Sequence, residues 1–108
     1  PMVSHLTDIG AIEAKAFGQK ECFEAGVKFA NAEGIIPAPE ATHAVKGAID
    51  AVLECKKNGQ SKTILFNLCG HGHFDMQAYG DYFDNKLTDD SYNESEVNKA
   101  LEKLPKIA

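Results

Sequence analysis

Apolar positions recur with a helical period in two central stretches of the chain and run almost without interruption through a third. From Lys20 to Ala32, Phe23, Val27 and Ala30 share one face with Phe29 alongside, while Glu24 and Lys28 sit outside at the i,i+4 spacing that favours an ion pair. Gly34 is placed to end that helix in a left-handed cap. A second helix is predicted from Pro39 or Glu40 to about Lys57, because proline suits the first helical turn and a carboxylate there meets the positive end of the helix dipole. Its stripe is Ala44, Val45, Ala48, Ile49, Val52 and Leu53, and Lys56-Lys57 followed by Asn58-Gly59 mark its end.

The third stretch, Thr63 to Leu68, is nearly continuous in β-formers, the mark of a strand buried on both faces in a parallel sheet. Ile35-Ile36, held between Gly34 and Pro37, predicts a second and very short strand. With a helix between them the order is strand, helix, strand, joined by a right-handed crossover. The expected fold class is therefore α/β, with short parallel strands flanked by about four to five helices. The outer helices are a short one opening at Asp8 and running through Ile9, Ile12 and Ala14, a segment spanning Phe74, Tyr79, Tyr82, Phe83 and Leu87 that Gly80 weakens, and a last one. That last helix follows a polar loop from Asp89 to Ser95. Asn93 would cap it, Val97, Leu101 and Leu104 would be buried, and Pro105 would end it.

A length of 108 residues suits one folding unit, taken as 1–108, with a single modest core. At 44% hydrophobic and 25% charged residues the chain is neither disordered nor membrane-spanning in character, and no apolar run reaches bilayer length. Its opening residues, Pro1 to His5, lack the basic and apolar regions of a secretory signal. The net charge of -5, with no basic cluster beyond Lys56-Lys57, gives nucleic-acid binding no electrostatic support. Three widely spaced cysteines, Cys22, Cys55 and Cys69, fit free thiols of a reducing compartment, so the cytoplasm is the expected location.

Candidate chemistry gathers where the strands end. Cys69-Gly70-His71-Gly72-His73 follows the buried strand directly, and in open α/β sheets ligands sit beyond the carboxyl ends of strands. Its glycines allow a ligand close to the backbone, or they simply make a tight turn. Glu40 follows the other strand; if the strands are parallel neighbours it shares a sheet edge with Cys69, and otherwise it serves only the helix dipole. His43, His71, His73 and Asp75 have suitable atoms for a metal but no specific spacing, and no metal site is assigned. A Cys69 nucleophile with a histidine base is the weaker alternative to an inert strand cysteine.

Taken together, the run from Glu33 through Glu40 to His43-Ala44 and the run from Leu65 to Asp75 resemble the C-terminal region of tryptophan synthase β chains, most closely the longer, second class. The likeness extends over essentially the whole chain, including Glu21 to Ala25 and the helix from Ala44 to Ala51. The resemblance implies a type II pyridoxal-phosphate fold with three layers, α/β/α, of which this chain would be a part, and the condensation of activated L-serine with indole to give L-tryptophan. It implies that Glu40 lies beside the cofactor ring near its reactive end. Cys69 matches a position that is usually serine and that hydrogen-bonds the pyridine nitrogen, and Gly70 and His71 join it in facing the cofactor. A neutral partner leaves that nitrogen largely unprotonated, which tempers electron withdrawal and favours elimination and replacement at the β carbon. Cysteine donates more weakly than serine, although serine dehydratases of the same fold also carry cysteine there.

The family's Schiff-base lysine and phosphate cradle lie upstream of the matched region, and the sequence has no Gly-Gly pair. No catalytic residue is therefore assigned to this chain, and pyridoxal phosphate is not expected to bind stably to it alone. Expected partners are the remainder of a parent chain, a second copy in a homodimer or domain-swapped oligomer, and a tryptophan synthase α subunit. The alternative is a stand-alone, non-catalytic module that assembles or captures a ligand.

Overall fold

The computed structural model describes residues 2–89 together with Ser95, Asn98 and Lys99. Residues 2–89 hold four α-helices and one 3-10 turn: α1 (Met2–Asp8), α2 (Gln19–Glu33), α3 (Thr42–Lys57), the turn Gly72–Phe74, and α4 (Met76–Phe83).

The helix α2 forms where its pattern places it. Gly18 precedes it in extended conformation, and the Glu21 carboxylate reaches back to accept the Gly18 N–H at 2.8 Å. Gly18 has no side chain to cap the next amides, and Asp89 does so instead, its Oδ1 accepting the Lys20 N–H at 3.1 Å. Gly34 ends the helix at φ 69° with its N–H on the Ala30 carbonyl. The helix buries Cys22, Phe23, Ala25 and Gly26.

Beyond the connecting loop, α3 starts two or three residues later than its proline and glutamate suggest, because residues 39–41 make a turn and Thr42 opens the helix. It ends on Lys56-Lys57 and Asn58, with Gly59 at φ 62°. Lys46 pairs with Asp50 at 2.6 Å and with Glu21 of α2 at 3.5 Å, and lies over the Phe17 ring at 5.0 Å. In α4, Tyr79 and Tyr82 both meet Phe23, the first edge-on at 5.0 Å and the second stacked at 5.7 Å. The core is accordingly small: Cys22, Phe23, Ala25, Ala38, Ala41, Thr42, Val45 and Tyr79.

Two expectations are corrected. Of the expected α/β layers the described residues show the helices and not the parallel strands: among them there is no strand, only an isolated antiparallel bridge between Pro37 and His71. The residues from Thr63 to Leu68 have strand composition, but a strand needs hydrogen-bonding neighbours and the described residues offer none; Leu65 is 95% exposed. The early helix also lies before Asp8 and not after it. Asp8 closes α1 and does not open a helix, since Gly10 at φ 72° turns the chain and its N–H returns to Thr7. Gly80 does not break α4. The expected final helix lies outside the described residues apart from Ser95, Asn98 and Lys99, which are helical.

Candidate functional site

The two motif segments meet at the Pro37–His71 bridge. The Gly72 N–H donates to the Ile36 carbonyl at 2.8 Å and the Ala38 N–H to the Gly70 carbonyl at 3.5 Å, which sets an antiparallel register. Past this pair the chain turns at residues 39–41, so the pairing ends before it reaches Glu40. The bridge brings the two motif segments together in antiparallel fashion and not as parallel strands.

Glycine is demanded on one side of this junction. A Cβ on Gly72 would lie 2.6 Å from the Pro37 carbonyl oxygen and 2.8 Å from Ile36 Cγ2. Gly70 has φ 79°, and a Cβ there would meet Ala38 Cβ at 3.3 Å. On the other side, every carbonyl from Ile36 to Ala41 has a donor. After Ile36, the Tyr79 hydroxyl donates to Pro37 at 2.7 Å, and the Thr42 N–H to Ala38 at 3.1 Å. The Thr42 hydroxyl donates to Pro39 at 2.5 Å, the His43 N–H to Glu40 at 3.3 Å, and the Ala44 and Val45 N–H groups to Ala41. Pro37 and Pro39 have no N–H to satisfy. The loop's carbonyls are therefore all engaged, two of them by Gly72 and Tyr79 from farther along the chain.

The Glu40 side chain is exposed and lines a cleft of about 170 Å³ with Gln19, Cys22, Phe23, Pro39, Thr42 and His43. Cys69 lies outside that lining. Its exposed, free thiol sulfur accepts the Asn67 Nδ2–H at 2.9 Å, which leaves the S–H hydrogen available to donate. His71 is exposed, and its Nδ1 accepts the His73 N–H at 3.3 Å, with the two rings 5.0 Å apart and nearly perpendicular. Among the described residues no three His, Cys, Asp or Glu side chains gather as metal ligands. Burial, reinforced by nearby Glu21, pushes the Cys22 thiol up, so Cys22 is a core residue and not a reactive one.

Sequence reasoning passed over Tyr79, Thr42 and Asn67. Tyr79 was legible only as an apolar helical position, since nothing local distinguishes a tyrosine used for its hydroxyl from one used for its ring. The Thr42 hydroxyl, directly before an apolar stripe, did carry a helix-start signal, which Pro39 and Glu40 outweighed.

No protein-family model matches the sequence. Curated relatives do: the tryptophan synthase beta chain 2 of Aquifex aeolicus is 55% identical over 89 residues, covering 82% of this chain and 20% of the relative. That of Methanosarcina mazei is 55% identical over 87 residues, 81% of the chain and 20% of the relative. That of Thermococcus kodakarensis is 51% identical over 89 residues, with 82% and 20% covered. The likeness thus covers most of the chain and not its whole length, and the chain spans about a fifth of the length of these relatives. No helix among the described residues is long and apolar enough to cross a membrane. On these matches the chain belongs to the tryptophan synthase β family and corresponds to the C-terminal region of its second class.

Proposed function

We propose that this chain, as one unit, forms one wall of the pyridoxal-phosphate pocket in a tryptophan synthase β-like enzyme that makes L-tryptophan from L-serine and indole. The observation that supports the proposal is the bridge at Pro37 and His71, which joins the segment leading to Glu40 to the turn that holds Cys69, Gly70 and His71.

The residues present fit such a group. An exposed thiol with its hydrogen free is a neutral donor suited to a pyridine nitrogen, and Gly70 offers backbone without a Cβ to hold a ring away. Pyridoxal phosphate, when bound, supplies the electron sink that replacement at an amino acid's β carbon requires. Cys69 keeps the partner of the ring nitrogen uncharged. Glu40, with an exposed carboxylate on a loop whose carbonyls are all engaged, would hold or accept a proton at the open edge of that pocket. The lysine that carries the cofactor and the phosphate cradle belong to the rest of the protein, so the remaining partners are that parent chain, a second copy, and an α subunit.

The test is a chimera in which this chain replaces the matching region of the Aquifex aeolicus relative. It is expected to retain pyridoxal phosphate at stoichiometric occupancy and form tryptophan, with Glu40→Ala lowering kcat by about a hundredfold. The 108-residue chain alone should show no stable cofactor absorbance band. A folded chimera that loses the cofactor on dialysis overturns the proposal, as does a stoichiometric band on the isolated chain.

A further inference from the structure

We infer that Tyr79 is a positioning residue for this pocket, locking the Glu40 loop to the Cys69–Gly72 turn; the inference rests on the reading just proposed. Tyr79 is only 4% exposed, although α4 lies outside both motif segments. Its hydroxyl donates to the Pro37 carbonyl, the residue that bridges to His71, at 2.7 Å. Bridge and hydroxyl thus hold the same residue from two sides. Its ring edge also fills the space that a side chain at position 72 would need, since a Cβ on Gly72 would meet Tyr79 Cε2 at 3.0 Å.

A third element converges on the same atoms. A Cβ at Gly26 of α2 would meet the Tyr79 hydroxyl oxygen at 3.1 Å and Thr42 Cγ2 at 2.6 Å. Tyr79 therefore occupies the point where α2, the proline loop, the start of α3 and the glycine turn approach one another. Without the hydroxyl, the Pro37 carbonyl is left buried with no side-chain donor, while the ring packing persists. Such a carbonyl gains by turning toward water, and that movement separates the two sides of the junction. Glu40 is three residues from Pro37 and Cys69 two from His71, so both would shift relative to each other.

The experiment compares Tyr79→Phe with Val45→Ala in the chimera described above. Val45 is a buried α3 residue that lines a separate apolar groove with Phe29 and Phe66, so its truncation lowers stability without touching the junction. Two readouts are taken well below the melting temperature: pyridoxal-phosphate dissociation followed by absorbance, and amide exchange of peptides covering residues 36–42 and 70–74. Tyr79→Phe is expected to speed cofactor loss by about tenfold and to raise exchange in both peptides together, with Val45→Ala changing neither. Equal effects from the two variants would reduce Tyr79 to a stability residue, and no effect from Tyr79→Phe would remove it altogether. If the unsubstituted chimera holds no cofactor, the proposed function fails. The exchange comparison then still decides whether Tyr79 locks the junction.

Discussion

In the loop at residues 36–41 each carbonyl finds a donor within the chain, whereas the segment at residues 61–68 joins no ladder and leaves Leu65 95% exposed. Both are non-helical and both are marked by their apolar residues for burial. What separates them is where their partners are. The loop is served by residues near it in sequence, Thr42 and His43, and by two visitors, Gly72 and Tyr79. The segment at 61–68 has the composition of a strand flanked on both edges, and among the described residues its one ring contact is Phe66 edge-on to Phe29 at 5.9 Å. On the proposed reading its neighbours are strands of the longer protein.

The contrast breaks most sharply at Gly72. Gly72→Val inserts a branched side chain where even a Cβ would lie 2.6 Å from a backbone oxygen, and should cost about 3 kcal/mol in urea denaturation of the chain. A cost under about 1 kcal/mol would mean that the junction yields easily. The next test uses pH. Burial, with Asp75 adding to it, pushes the Tyr79 hydroxyl up to about 12 from 10. Because the folded value is the higher one, the unfolded chain loses its proton first. The stability tied to the neutral hydroxyl is therefore complete below pH 10 and drains away as pH rises toward 12, by on the order of 2 kcal/mol. Cys22 drifts in the same direction, so the share belonging to Tyr79 is the part that Tyr79→Phe abolishes in parallel melts. The smallest effect lies in the other region. Leu65→Asp should change the stability of the 108-residue chain by less than about 0.5 kcal/mol, yet it should prevent the chimera from folding, where the same side chain would be enclosed. Tolerance in both settings would contradict the assignment of this segment to a sheet.

These differences also explain which features could be read from the chain. The helices α2 and α3 were legible because their period, their glycine stops and their Glu24–Lys28 and Lys56-Lys57 charges all agree. The two segments were legible as motifs, but the geometry that links them was not, since a bridge between Pro37 and His71 leaves no periodic trace. The strand expectation rested on Thr63 to Leu68, where composition reports what a segment needs and not whether its neighbours are present. Asp8 misled for a related reason: an aspartate next to apolar residues reads the same before a helix as after one, and only the left-handed Gly10 decides the direction.

The two prolines of the loop have a consequence for the entropy of folding. Pro37 and Pro39 restrict the backbone before folding begins, so fixing Ile36 to Glu40 removes less conformational freedom than fixing an ordinary pentapeptide. Most of the donors to the loop's carbonyls lie in the first turn of α3, directly after it in the chain, while Gly72 and Tyr79 come from farther along. Fixing the loop thus costs less entropy, and on the proposed reading one wall of the pocket carries part of its shape in its own two prolines.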